Sequence, residues 1–375
     1  MKTTLRSTTT LCAALFLLAG HHFAWGQITY TRVLKTGGLK LHEMAPNGTG
    51  DTTINFPFKQ VGDPTWSRDG SQLAVTAFRP TQIPTHTWNV YTIARTNGAV
   101  QQQTHFLDIL DPTALSFSYT FPWYKAFSPN GKLMAIFSLT ESGASSGGGG
   151  VVDLPVLEIH SLTTTADPIL VHVDKTRNGR HHGGEGVDWA PNKSLLAAPL
   201  ESSAPFISGG GPGETTAIFL IPPVLSAVQL GRAQQATFPR ADANIQSGIF
   251  WTEHDYQPKF SPNGVGLAYV RSFQSHSLLT SPNPDPDIQS LRILNLNTGV
   301  DTEIRRFVQG TYITTLDWSP DGTQLVFDLA LQTNSIVGPL QQGSAETNQI
   351  YIINSNGTGL KRLRGNGNGT PAWRR

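Results

Sequence analysis

Short apolar runs recur down the chain, each introduced by the same polar punctuation. Leu73-Ala74-Val75, Leu133-Met134-Ala135-Ile136-Phe137, Leu195-Leu196-Ala197-Ala198, Leu267-Ala268-Tyr269-Val270 and Leu325-Val326-Phe327 each follow an aromatic residue and a tight turn. The turns read Trp66-Ser67-Arg68-Asp69-Gly70, Phe127-Ser128-Pro129-Asn130-Gly131, Trp189-Ala190-Pro191-Asn192-Lys193, Phe260-Ser261-Pro262-Asn263-Gly264 and Trp318-Ser319-Pro320-Asp321-Gly322, with a fragment at Pro371-Ala372-Trp373. Proline presets φ at about −65°, the Asp or Asn after it bonds nearby backbone N–H groups, and glycine supplies the positive φ that reverses the chain. Apolar runs of this length between turn residues predict strand, tight turn, strand.

The aromatic positions 66, 127, 189, 260, 318 and 373 stand 55 to 71 residues apart. A four-stranded propeller blade needs only ~40–50 residues, so each unit is a blade with insertions. The N-terminal region contributes strands at Ile28 to Val33, Leu39 to Met44 and Thr52 to Phe56 with no aromatic turn before them, whereas the C-terminal region ends on an orphan strand carrying Trp373. With strands A to D numbered from channel to rim, the N-terminus supplies B, C and D of one blade and the C-terminus its A. The expectation is an all-β, six-bladed β-propeller of four-stranded antiparallel blades, closed by both ends of the chain so that no sheet edge is left open.

The repeated [Trp/Phe]-Ser-Pro-[Asp/Asn]-Gly before an apolar strand, and the Asn-Gly-Thr-Gly hairpins at 47–50 and 356–359, resemble the WD-like repeats of the TolB-type six-bladed β-propeller family. The resemblance covers nearly all of residues 27–375 and implies the fold. For function it implies a binding scaffold or a non-catalytic domain, since such propellers serve as both. Arg68 replaces the proline, Lys193 replaces the glycine, and the unit around Pro222-Pro223 is poorly patterned. TolB proteins also carry an N-terminal α/β domain, for which there is no room before Ile28, so the resemblance implies a stand-alone propeller.

Residues 1–26 read as a signal peptide: Lys2 and Arg6 form a basic start, Leu11 to Ala19 an apolar stretch, and Ala24-Trp25-Gly26 a cleavage site, so that the mature chain begins at Gln27. Cys12 is the only cysteine and leaves with the signal, which excludes disulfides, catalytic thiols and thiolate metal sites. No later apolar stretch has the ~18 residues of a membrane-spanning helix, and the expected product is soluble in the periplasm or outside the cell. Removing Lys2 and Arg6 from 27 basic residues leaves 25 against 26 acidic ones, a balance that draws the protein to neither nucleic acid nor an anionic membrane. Charged residues make up only 14% of the chain, which suits short strands and many turns better than charged amphipathic helices.

In a propeller the A–B turns and C–D hairpins share one face and the B–C and D–A loops the other. Length has accumulated on the second: Arg79 to Trp88, Glu141 to Asp153, Glu201 to Thr216 and Ser272 to Gln289 as B–C insertions, and Phe106 to Pro122, Thr176 to Gly186 and Ile245 to Tyr256 as D–A loops. This face is the expected working surface. Trp88, Tyr119, Phe121, Trp123, Tyr124 and Trp251 cluster in or beside these loops, suited to protein or sugar contact and equally to packing the loops onto the disk.

Arg180-His181-His182-Gly183-Gly184-Glu185-Gly186 and Glu253-His254-Asp255 precede neighbouring A strands and are candidates to meet at the channel mouth. Imidazole with carboxylate suits zinc, manganese or iron, with His181, His182, Glu185 and His254 as ligands, although adjacent histidines in a glycine-rich loop are ordinarily just solvated. Gly143-Ala144-Ser145-Ser146-Gly147 matches the nucleophile-elbow pattern but runs into further glycines where the elbow needs a helix, so it reads as a loop. Asn283, Asp285 and Asp287 alternate like the start of a calcium loop but lack its glycine. The leading expectation is a cofactor-free, non-catalytic scaffold that binds a protein or peptide through Trp88, Trp123, Tyr124, Arg180, Trp251 and His254. The alternatives are a metal-dependent lactonase- or lyase-like enzyme and a module for extracellular glycan.

Overall fold

The repeated pentapeptide folds in one way wherever it ends in glycine. In all four copies the glycine N–H donates to the serine carbonyl at 2.9 Å. The serine hydroxyl donates to the Asp or Asn side chain at 2.6–2.8 Å, and that same oxygen accepts the backbone N–H two residues on at 3.0 Å. The serine Oγ in turn accepts the N–H five residues ahead at 2.8–2.9 Å, which ties the turn to the following strand. Glycine φ values lie between 65° and 73°, a region that a Cβ disfavours. The copy ending in Lys193 closes differently: Ala190 N–H donates to the Leu195 carbonyl at 2.8 Å, and the Asn192 amide reaches the Asn263 carbonyl at 3.2 Å.

A computed structural model of the chain describes residues 26–34, 38–58, 60–78, 88–106, 109–111, 116–144, 152–164, 168–173, 186–205, 212–222, 233–244, 249–277, 288–308, 310–331, 348–365 and 367–375. Within them the regular structure is entirely β. Strands β1 (Ile28–Val33), β2 (Leu39–Met44) and β3 (Thr52–Ile54) form an antiparallel meander. Next come β4 (Gln60–Trp66), β5 (Gln72–Phe78), β6 (Trp88–Ala94) and β7 (Val100–Gln102), which make a four-stranded sheet. Strands β8 (Ile109–Asp111), β9 (Ser116–Phe127), β10 (Leu133–Ala144), β11 (Val152–Ser161) and β12 (Ile169–Val173) make a five-stranded one.

A nine-stranded sheet follows. It holds β13 (Asp188–Trp189), β14 (Leu196–Pro205), β15 (Pro212–Ile221) and β16 (Gln234–Gln235), then β17 (Ala241–Asn244), β18 (Ile249–Phe260), β19 (Gly266–Ser277), β20 (Ile288–Asn295) and β21 (Asp301–Arg306). Strands β22 (Thr311–Trp318), β23 (Gln324–Leu331), β24 (Gln349–Asn354) and β25 (Lys361–Arg364) form another four-stranded sheet. The last strand, β26 (Asn368–Trp373), pairs antiparallel with β1, bringing Trp373 opposite Ile28. The arrangement is that of a β-propeller.

Apolar side chains pack between successive sheets and, within the nine-stranded one, between its two halves. Phe127 and Met134 meet Ala74 and Val90, Trp189 and Leu196 meet Ala135 and Phe137, and Tyr269 and Leu267 meet Ala197 and Ile218. Trp318 and Phe327 then meet Val270 and Leu291, Trp373 and Tyr30 meet Val326 and Ile352, and Val61 and Val75 meet Leu41. The motif aromatics of residues 127, 189, 260, 318 and 373 are thus wedges between sheets, each less than 9% exposed. Trp66 is less enclosed and donates its indole N–H to Thr29 Oγ1 at 2.9 Å.

The strands depart from expectation in two respects. Where sequence predicts loops, several strands run on: β9 and β10 pair from Met134–Phe127 out to Ala144–Ser116, and β18 and β19 from Phe260–Leu267 out to Ile249–Ser277. Serine and threonine alternate with aromatic residues from Ser116 to Phe121, and in both hairpins each arm supplies the other's backbone partners, so they remain sheet. The same lengthening brings β15 beside β18, where a single parallel bridge, Thr216 to His254, merges what would otherwise be two sheets into the nine-stranded one. Residues 1–25, which carry the expected signal peptide, lie outside the described residues.

Candidate functional site

The inner strands converge on a central cavity of about 60 Å³. One charged residue from each faces it, and in chain order the signs alternate: Asp63 on β4, Lys125 on β9, Asp188 on β13, Lys259 on β18, Asp317 on β22 and Arg375 just after β26. Several of these strands bulge at this level, with register shifts between Gly62 and Thr65, between Tyr256 and Lys259, and between Ile313 and Leu316. Asp63, Gln257 and Thr370, each directly before a proline, take φ of 50°, 55° and 48°. Positive φ in non-glycine residues is uncommon and is held only where surrounding structure enforces it.

Backbone bonds between neighbouring inner strands place the carboxylates. Asp188 Oδ2 accepts the Phe260 N–H at 2.8 Å, and Asp317 accepts the N–H of Trp318 at 2.9 Å and of Trp373 at 2.8 Å. Arg375 lies 3.5 Å from Asp317. Burial pushes the Asp188 carboxyl up against the opposing charges of Lys259 and Arg375. Burial likewise lifts Asp63 to about 6, restrained by Lys125 and reinforced by Asp328, while it pulls the Lys125 ammonium down to about 8. Lys125 donates to Thr76 Oγ1 at 2.8 Å.

Arg68 stands where the other four turns carry proline, and its side chain reaches the Pro262 carbonyl at 3.4 Å on the turn between β18 and β19. It therefore lies across the turn end of the cavity. Burial, then the charge of Arg375, lowers its pKa to about 10. Behind the wall, Asp328 on β23 is fully buried and accepts five hydrogen bonds, from Thr314 Oγ1, Thr315 N–H and Oγ1, the Asn348 amide and Thr370 N–H. This carboxylate ties β22 and β23 to β26.

The predicted site residues separate into distinct environments. Trp123 and Tyr124 lie within β9, and both line the cavity; Tyr124 Oη also donates to the Thr314 carbonyl at 3.4 Å. Trp88 opens β6, with its ring 6.3 Å from Phe78. Trp251 is inside β18, 5.1 Å from the Phe273 ring. His254, also in β18, has Nε2 2.8 Å from Thr252 Oγ1 and Nδ1 3.4 Å from Thr216 Oγ1, and stacks on Tyr256 at 6.1 Å.

Glu253 and Asp255 point to the other side of β18. Arg271 grips Asp255 through two bonds of 2.7 and 2.8 Å, and Glu253 pairs with Arg240 at 2.9 Å and Arg271 at 3.4 Å. Strand alternation thus splits Glu253-His254-Asp255 between two faces. Arg180, His181, His182 and Glu185 lie outside the described residues, as do Asn283, Asp285, Asp287 and Ser145 to Gly147. Among the described residues no group of three or more His, Cys, Asp or Glu is placed to hold a metal ion, and no helix is long and apolar enough to cross a membrane.

The alternating charges escaped the sequence reading because they do not share one register relative to the motif. Asp188, Lys259 and Asp317 directly precede the motif aromatic, whereas Lys125 stands two residues before it and Asp63 three. The signal available was Asp-Trp, Lys-Phe and Asp-Trp at three motif starts.

In sequence the chain matches no family model and no curated protein. Its fold does match solved structures. TolB from Acinetobacter baumannii superposes with a TM-score of 0.55 at 16% identity, over 93% of this chain and 66% of that one. The hydrazine synthase of Kuenenia stuttgartiensis gives 0.52 at 10% identity, over 93% of this chain and 46% of that one. The chain spans about two thirds of that TolB and under half of the synthase. Its fold is that of the TolB-like β-propellers.

Proposed function

We propose that the protein is an exported, non-catalytic six-bladed propeller that holds a protein or peptide by its loop face and channel mouth. Six blades are favoured because the nine-stranded sheet is two meanders joined at one residue pair, and because apolar wedges link each sheet unit to the next. Closure by both ends rests on the pairing of β26 with β1 and on Trp373 packing beside Val326 of β23. Export rests on Lys2, Arg6 and the apolar stretch Leu11 to Ala19.

The observation that carries the scaffold reading is the cavity. All the inner strands line it, and two of its three carboxylates are already engaged, Asp188 by the Phe260 N–H and Asp317 by the Trp318 and Trp373 N–H groups and Arg375. The acid–base residues of β18 are likewise taken up in pairs with Arg271 and Arg240 or in contacts with threonine hydroxyls. Trp123 and Tyr124 supply aromatic surface at the channel, the type of residue that anchors interfaces.

The test is selection of random displayed peptides on the purified protein. Enriched peptides should bind the Trp123→Ala/Tyr124→Ala variant at least about tenfold more weakly, and a Lys132→Ala/Lys193→Ala variant of the turn face unchanged. Equal loss in both, or selective loss in the second, would move the binding surface away from this face.

A further inference from the structure

Two side chains reach across the central cavity from facing walls, at different depths. The inner strands touch in the order β4, β9, β13, β18, β22, β26 and back to β4. Two of them therefore stand between β4 and β18 whichever way round is taken, and likewise between β9 and β22. Arg68, on the turn after β4, donates to the Pro262 carbonyl on the turn after β18 at 3.4 Å. Tyr124 of β9 donates through Oη to the Thr314 carbonyl of β22, also at 3.4 Å. Both Arg68 and Tyr124 line the cavity, so each bond is a bar across it.

Arg68 and Pro262 stand two residues after their motif aromatics, whereas Tyr124 stands three before Phe127 and Thr314 four before Trp318. At about 3.3 Å per strand residue the bars are roughly 15–20 Å apart along the inner strands. Asp63, Lys125, Asp188, Lys259 and Asp317, one to three residues before their aromatics, fall between them. The two bars are held differently. Around Arg68 the turns pack on one another: a Cβ on Gly264 would stand 3.1 Å from Pro191, one on Gly322 3.4 Å from Pro262, and one on Gly70 would collide with the Arg375 backbone carbonyl. The Arg68 guanidinium also lies within the attraction of Asp188 and Asp317. The Tyr124 phenol is neutral and only partly buried, and 3.4 Å is long for a hydroxyl donor, whose bonds cluster at about 2.7–2.8 Å.

We propose that the channel is a chamber barred at both ends, with Arg68 a fixed plug at the turn face and Tyr124 a door toward the loop face. Solutes and partner side chains then reach the buried charges from the loop side alone, when the phenol leaves the Thr314 carbonyl. Rotation of one side chain opens this door, and the sheets stay as they are. The inference goes beyond the scaffold reading and stands without it: access is measured with no partner present, and the peptide selection succeeds or fails independently of it.

The experiment measures thiol access in the full chain carrying Cys12→Ser and one new cysteine, Thr65→Cys, at a position that lines the cavity. Its rate of reaction with methanethiosulfonate ethylammonium, followed by intact mass, is set against that of Thr302→Cys, exposed on the rim strand β21. The Thr65→Cys thiol should react at least about tenfold more slowly than the Thr302→Cys one. Tyr124→Phe, which keeps the ring and loses the bond, should speed the Thr65→Cys reaction at least about threefold and Tyr124→Ala at least about tenfold, while Arg68→Lys, which keeps a long cation in place, leaves it within about twofold. Hydrogen exchange at the Leu325 and Val326 amides of β23 shows whether a variant loosens the whole fold. Where Tyr124→Ala does so, Tyr124→Phe alone decides. A smaller difference between the two cysteines means an open channel and overturns the chamber. A rate that the Tyr124 variants leave unmoved, or that Arg68→Lys raises as much as Tyr124→Phe, overturns the door.

Discussion

Asp328 offers a sharp test of how the C-terminal strand is held. Its carboxylate has no exposed surface and collects five donors, of which the Thr315 N–H at 2.7 Å and the Thr370 N–H at 3.2 Å belong to the backbone of two different inner strands. In Asp328→Ala the hydroxyls of Thr314 and Thr315 can rotate toward other acceptors, but the two amides cannot. Each buried N–H left without an acceptor costs about 1–3 kcal/mol. Burial alone pushes the Asp328 carboxyl up, so removing the charge returns part of that cost. The expected net loss is about 2–5 kcal/mol, a large share of a typical total of about 5–15 kcal/mol.

Asp321, in the exposed turn of the same unit, is the internal comparison. It also accepts from a serine, a backbone N–H and a threonine, but in contact with solvent, so Asp321→Ala should cost only about 1 kcal/mol. Urea unfolding with an unchanged slope measures both, and hydrogen exchange at the Thr370 and Trp373 amides shows whether β26 loosens first. An Asp328→Ala protein within about 1 kcal/mol of the unaltered one, with Thr370 still protected, would refute the view that this carboxylate fastens β26 to β22 and β23.

Four further outcomes are expected. Trp373 is 2% exposed among Ile28, Tyr30, Met44 and Val326, so Trp373→Ala should cost about 3–5 kcal/mol in thermal or urea melts, while Val300→Ala, at 58% exposure, should be nearly silent. Asp63 has a folded pKa of about 6 against an ordinary value of 3.8, so its contribution to stability is present at low pH and lost as pH rises from about 4 to about 6; Asp63→Asn should flatten that slope in a melting-temperature series. Arg271→Leu strands the fully buried Asp255 and should cost about 3–5 kcal/mol, most of it recovered in Arg271→Leu/Asp255→Leu. In an exporting host, N-terminal sequencing of the protein recovered outside the cytoplasm should begin at Gln27.

Local chemistry was enough for much of the architecture. The four Ser-Pro/Arg-Asp/Asn-Gly turns are legible because their bonds span no more than five residues, from Ser319 Oγ to the Gln324 N–H for example, so neighbours in the chain settle them. The strands that follow are legible because their apolar residues are contiguous and bounded by those turns. The role of Trp189, Phe260 and Trp318 as wedges follows from the same repetition. At the ends, the extra N-terminal strands and the orphan strand around Trp373 point to each other because each lacks what the other supplies.

Packing between distant segments decided the rest. Whether Ser116 to Pro122 and Ile249 to Tyr256 are loops or strand depends on a partner arm, which is why Tyr119, Phe121, Trp251 and His254 proved to be strand residues. Strand alternation then set Glu253 and Asp255 against Arg271 and turned His254 toward threonines, separating side chains that sit together in sequence. The alternating charges of Asp63, Lys125, Asp188, Lys259, Asp317 and Arg375 come together only once six chain segments meet, and while three of them directly precede their motif aromatic, Lys125 stands two before, Asp63 three before and Arg375 two after. Charge placed by such convergence leaves no period in the sequence, because its members stand on separate segments that only tertiary contacts bring together.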